Sequence, residues 1–222
     1  GFNHNLWQNY LTFLLMTNEN SFSLTCERVG ATEGGSINLL AKADLAIFHK
    51  LFHYDFSAWE QKLGTSVFSV LTDYHAIPKR SCLYNAGVSV IINDLSARLA
   101  AAADENEMFD LLTAHYRDFG VGMFGMNRAF RIGNEDGKVT YLPISNIDGV
   151  MLDDLLGYDK QKAELRRNTE AFLAGKKANN VLLYGDAGTG KSSAIKAIAN
   201  AFAGEGLRLV EVKKNQLYQI PD

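Results

Sequence analysis

A chain of 222 residues with 47% hydrophobic side chains exceeds one average domain and can bury a sizeable core, so one or two globular domains are expected. Its 22 basic and 25 acidic residues leave a formal charge of −3, which gives no sign of a protein built to coat nucleic acid or an anionic membrane. Two distant cysteines, Cys26 and Cys82, argue against a disulfide-built secreted fold, and no apolar stretch reaches the ~20 residues that span a bilayer, so a cytoplasmic protein without membrane partners is expected.

Because the first residue is Gly1 rather than methionine, the natural start is expected upstream. Residues 1–120 read mainly as helices joined by short polar breaks, and so as an α-helical amino-terminal domain. Within residues 39–56, Leu40, Ala43, Ile47, Leu51 and Tyr54 recur at the spacing of one helix face; Val88, Ile91, Ile92, Leu95 and Leu99 do likewise, and residues 108–119 form a further run. His49 and His53 stand one helical turn apart, but Lys50, Leu51 and Phe52 between them lack the Glu of the zinc-protease motif, so a partly exposed helix face is expected there.

Composition changes at residues 121–147, rich in Gly and Asn. Residues 129–132 and 138–142 read as strands around the turn Gly133, Asn134, Glu135, Asp136, Gly137, a β-hairpin in a linker. Gly120, Gly122 and Gly125 satisfy a dinucleotide-binding spacing, but three fixed glycines arise by chance in such a chain at roughly one in seven. A helix rather than a strand precedes them, so a tight turn is the better reading.

Residues 148–222 read as regular α/β. Tyr158, Leu165 and Phe172 lie seven apart on a charged helix ending near Gly175, and Val181, Leu182, Leu183 and Tyr184 form a short apolar run suited to a buried parallel strand. Ile195, Ile198 and Phe202 line one face of a helix stopped around Gly204 and Gly206, and residues 207–212 read as a second strand.

Between that first strand and helix stands Gly185, Asp186, Ala187, Gly188, Thr189, Gly190, Lys191, Ser192, the phosphate-loop pattern Gly-x-x-x-x-Gly-Lys-Ser. A chance match in this chain has a probability of roughly one in a hundred. Each fixed position has a mechanical reason. Glycines allow backbone conformations in which successive N–H groups surround phosphate, Lys191 reaches the β- and γ-phosphates, and the Ser192 hydroxyl ligates Mg²⁺. ATP with magnesium is therefore the expected ligand, and ADP its product. Neither Ser192 nor Ser193 has a neighbouring His that would make it a nucleophile.

The residues around this loop carry a resemblance. Leu155, Leu156, Gly157 and Tyr158, the charged helix through Phe172, and the run Asn179, Asn180, Val181, Leu182, Leu183, Tyr184, Gly185 resemble the start of an AAA+ ATPase module. The likeness spans residues 147–222 and is similar to a bacterial family of predicted AAA+ ATPases that carries a domain-of-unknown-function label. It implies an α/β P-loop fold with Leu156, Gly157 and Tyr158 against adenine, and residues 188–193 on the phosphates and magnesium. It also implies remodelling of a protein or nucleic-acid partner, a homo-oligomeric ring, and the helical front as the partner-recognition or regulatory domain.

The same resemblance implies a strand order of 5-1-4-3-2, in which residues 181–184 and 207–212 are not neighbours. It further implies an acidic pair on a later strand, a polar sensor residue and an arginine from a neighbouring subunit, for which the chain leaves no room before Asp222. An incomplete nucleotide-binding domain, the front part of a longer ATPase with little hydrolysis of its own, is therefore expected. Two other readings stand beside it: a helical interaction or scaffold module with an incomplete nucleotide site, and a P-loop small-molecule kinase.

Overall fold

The computed structural model describes residues 4–32, 34–75, 86–135, 138–144, 147 and 149–219. The chain divides into two units, Gly1–Met126 and Asn127–Asp222. Cys82, residues 136–137 of the expected turn, and residues 220–222 lie outside the described residues.

In the first unit α1, α2 and α7 start on polar side chains that cap them. The Asn5 side chain accepts from the Gln8 amide at the start of α1 (Leu6–Thr17), and Asn20 and Ser23 satisfy each other's backbone amides at the start of α2 (Ser21–Val29). There follow α3 (Ser36–Phe52), α4 (Ser57–Leu63), α5 (Val67–Thr72) and α6 (Ala86–Ala101). Asp104 accepts from the amides of Asn106 and Glu107 to open α7 (Glu105–Phe119), and α8 (Gly122–Met126) is a single turn.

These helices bury Leu11, Leu15 and Met16 of α1, Ile92, Leu95 and Leu99 of α6, and Met108, Leu112 and Tyr116 of α7 in one core. The α6 and α7 faces are those expected from the apolar spacing. Helix α3 is different: Leu40 is 64% and Ile47 57% exposed, Tyr54 beyond it is exposed too, and Leu45 and Phe52 enter the core instead. Of the expected face Leu51 alone packs against that core, and packing against α7 and α1 buries the stripe of Leu45 and Phe52 instead.

At the carboxyl end of α3, the ring nitrogens of His49 and His53 meet backbone carbonyls. His49 Nε2 lies 3.0 Å from Ala102 O, and His53 Nδ1 and Nε2 lie 2.8 Å and 3.0 Å from His49 O and Ala100 O. The glycine trio also has a structural cause. Gly120 ends α7 at φ +84°, Gly122 holds φ +65° with the Glu19 carboxylate where a Cβ would stand, and a Cβ on Gly125 would lie 2.5 Å from Gly120 O.

In the second unit, β1 (Ala129–Glu135) and β2 (Lys138–Pro143) form a hairpin as expected, but Gly133, Asn134 and Glu135, expected in its turn, continue β1 and pair with Thr140, Val139 and Lys138. The hairpin is more than a connector, because β3 (Leu209–Glu211) adds in parallel to β1, giving the order β2-β1-β3 with Phe130 fully buried. Arg131 and Glu211, opposite each other in that register, form an ion pair at 2.7 Å.

Helices α9 (Asp159–Leu173) and α10 (Lys191–Ala201) join a second core of Leu152, Leu165, Ala197, Ile198 and Phe202. Of Tyr158, Leu165 and Phe172, spaced by seven, only Leu165 is buried; Tyr158, the N-cap of α9, and Phe172 are exposed. The expected strand over residues 181–184 is absent: Val181, Leu182 and Tyr184 are 48%, 82% and 88% exposed and pair with no strand among the described residues. A strand requires partners for its N–H and C=O groups, and residues 181–184 have none in the sheet β2-β1-β3.

Candidate functional site

The approach to the loop is anchored from α9. Asn168 Nδ2 donates to Asn179 O at 2.8 Å while its Oδ1 accepts from the Asn179 amide at 2.9 Å, a reciprocal clamp that fixes where the segment leaves the helix. Nothing in the sequence marked Asn168 for this role, since a polar residue on a charged helix reads as solvated surface.

Within the loop the backbone makes its turns at glycine. Gly185, Gly188 and Gly190 take φ of +136°, +81° and +80°. A Cβ on Gly188 or Gly190 would meet nothing within 4 Å, so conformation and not crowding makes glycine necessary at both.

Thr189 Oγ1 donates to Asp186 O at 2.9 Å and bridges the loop. The Lys191 ammonium turns into the same ring, donating to Gly185 O at 2.9 Å, to Asp186 O, and to Thr189 Oγ1 at 3.2 Å. Lys191 is thus placed by the atoms of the loop that it serves.

Helix α10 starts at Lys191 with Gly190 as its N-cap and no side-chain acceptor for the first-turn amides. Ser192 and Ser193 occupy that first turn, Ser192 exposed and Ser193 half-buried. Ala197 and Ile198 hold the helix on the core, and Asn200 Nδ2 donates to Val150 O at 3.0 Å, tying the segment ahead of α9 to α10.

That segment carries the residues that the resemblance assigns to adenine. A 3-10 turn, Leu152–Asp154, buries Leu152 beside α10 residues, and Lys162 Nζ fixes Leu155 O at 2.8 Å. Leu156, at 93% exposure, Gly157 and Tyr158 follow, the last two at positive φ. The Leu156 and Tyr158 side chains are exposed.

Behind α10, the guanidinium of Arg208 donates to Ala203 O and Leu207 O and is held below its usual range by burial first and by Arg128 second. It closes the carboxyl end of the α10 region.

The start of α10 has no side-chain cap, a feature that suits an anion, while the Lys191 ammonium is turned onto the loop's own oxygens. Among the described residues no group of three or more His, Cys, Asp or Glu side chains could hold a metal. No helix among the described residues is long and apolar enough to cross a membrane.

No curated protein and no solved structure matches the chain. Residues 126–222, which hold the hairpin, the loop and α10, match the family described as protein of unknown function, DUF815.

Proposed function

We propose that the second unit binds ATP with magnesium as the opening part of an AAA+-type ATPase module, whose cycle remodels or assembles a protein or nucleic-acid partner. The observation that carries this reading is the loop itself. Three positive-φ glycines, an inward-turned Lys191 ammonium and an uncapped helix start lie within residues 185–192. Lys191 would stabilise charge on the transferring phosphoryl group, the amides of residues 188–191 would hold the β-phosphate, and Ser192 would hold Mg²⁺. Leu156, Gly157 and Tyr158 are exposed, which suits an adenine platform that closes over ligand.

The test is calorimetric titration of the chain with ATP and Mg²⁺, with Lys191→Ala as control. Binding by the native chain that the variant loses supports the reading; no binding by either, with both folded by circular dichroism, refutes it for this chain. Hydrolysis at the rate of a complete ATPase would refute the part of the reading that assigns this segment nucleotide binding with little turnover.

A second reading, that the helical unit is an interaction module, draws on the outward stripe of α3. Leu39 and Leu40 are exposed together with Ile47, an apolar face unlike a solvated helix surface. The two readings are compatible if the first unit recognises what the second unit acts on.

A further inference from the structure

The segment that leads into α9 bends through two successive residues in left-handed backbone. Gly157 takes φ +77° and Tyr158 φ +57°, and among the described residues Tyr158 and His4 are the non-glycine positions with positive φ. A left-handed tyrosine costs free energy, because its Cβ crowds the following carbonyl, and such a residue persists only where its surroundings hold it. At Gly157 a Cβ would meet nothing within 4 Å, so backbone conformation is what asks for glycine there.

The group that holds the bend is Lys162. Its amide donates to Tyr158 O at 2.9 Å, while its ammonium donates to Leu155 O at 2.8 Å and lies 2.9 Å from the Asp159 carboxylate. One residue thus fastens a carbonyl on each side of the bend, Leu155 O ahead of Leu156 and Tyr158 O at its end. The Lys162 side chain is 20% exposed, and a charged donor partly withdrawn from water makes a stronger bond to a carbonyl than a solvated one. Leu155 packs on the core that contains Leu152, Leu165 and Ile198, which anchors the base of the bend. Leu156 and Tyr158, beyond that base, stay exposed. The strained backbone therefore presents two large apolar side chains outward instead of burying them, the pattern of a shape kept for a ligand.

We propose, resting on the nucleotide reading above, that Lys162 is a positioning residue for the adenine ring. It keeps Leu156, Gly157 and Tyr158 in the left-handed bend before the base arrives. Without the ammonium the bend relaxes toward negative φ, the competent shape becomes a minor conformer, and the apparent affinity falls by the fraction that remains. The phosphates are held by a different set of atoms in residues 185–192, so the loss is confined to the part of the ligand that carries the base.

The experiment titrates the whole chain calorimetrically with ATP and with tripolyphosphate, each with Mg²⁺. Tripolyphosphate carries the phosphates without the base. Expected are tighter binding of ATP than of tripolyphosphate by the native chain, and a loss of about tenfold for ATP in Lys162→Met with tripolyphosphate changed by less than about twofold. Lys162→Arg should restore most of the ATP affinity, since a guanidinium also reaches a carbonyl and a carboxylate. Gly157→Ala strains the same bend with Lys162 intact and should repeat the selective loss, so the proposal stays testable if Lys162→Met fails to fold. Unchanged ATP affinity in Lys162→Met and Gly157→Ala, or an equal loss for both ligands, overturns the role of Lys162 while the nucleotide reading stands. Equal binding of the two ligands by the native chain overturns the adenine contact itself, and binding of neither overturns the nucleotide reading with it.

Discussion

Replacing Gly190 by alanine separates conformation from crowding at the phosphate loop. Gly190 takes φ +80° and a Cβ there meets nothing within 4 Å, so Gly190→Ala introduces no clash and its whole cost is the left-handed backbone, about 1–2 kcal/mol. If the substituted loop relaxes to negative φ when empty, that strain must be supplied on binding. At RT of about 0.59 kcal/mol, the ATP-competent conformation falls roughly 5- to 30-fold and the apparent Kd for ATP with Mg²⁺ rises by the same factor. Gly204 provides the matched control, since it too has open space around its Cβ position but carries no positive φ. Gly204→Ala should leave the affinity within about twofold. Calorimetric titration of both variants reads the difference directly. Equal affinities for Gly190→Ala, Gly204→Ala and the native chain would refute the claim that glycine is needed for its backbone conformation.

Three further outcomes test the packing. The Tyr116 hydroxyl donates to Leu15 O at 2.6 Å, a carbonyl near the end of α1, and burial pushes the phenol far above its usual range. Tyr116→Phe strips that carbonyl of its partner and should cost about 1–2 kcal/mol in urea unfolding, against no more than ~0.5 for an exposed Tyr10→Phe. Leu99, fully buried, should cost about 2–5 kcal/mol as alanine, measured in the same way. The half-exposed pair of Arg131 and Glu211 should yield no more than about 1 kcal/mol in a double-mutant cycle.

For pH, the amide of Glu107, and then that of Asn106, hold the Asp104 carboxyl below its usual value. Its folded value lies below the unfolded one, so its contribution is present at neutral pH and is lost as pH falls below about 4. Melting curves from pH 7 to 3 should show a shallower acid decline for Asp104→Asn than for the native chain.

How far the sequence reaches depends on the range of the interaction that sets each feature. The starts of α1, α2 and α7 are fixed by Asn5, Asn20 and Asp104 within three residues, the β1 to β2 hairpin by strand-forming runs on either side of a turn, and the phosphate loop by glycines that fold on themselves. All of these are local, and composition and spacing carry them. The stripe that α3 buries is not local. With apolar residues on more than one side, the helix period permits either choice, and the packing of α7 and α1 decides for Leu45 and Phe52 over Leu40 and Ile47.

The same holds for strands. Residues 181–184 have an apolar composition fit for a sheet centre, yet a strand exists only with a neighbour, and β3 rather than this segment pairs with β1. The residues on each side of the loop were therefore legible one by one, while the partners that the tertiary structure gives them were not: Asn179 held by Asn168, Val150 held by Asn200, and the Lys191 ammonium turned onto Gly185, Asp186 and Thr189. Sequence determines conformations that close within a few residues. Which faces are buried and which edges are paired is decided by elements far apart in the chain, because the energy that settles them is shared with a partner that no local pattern names.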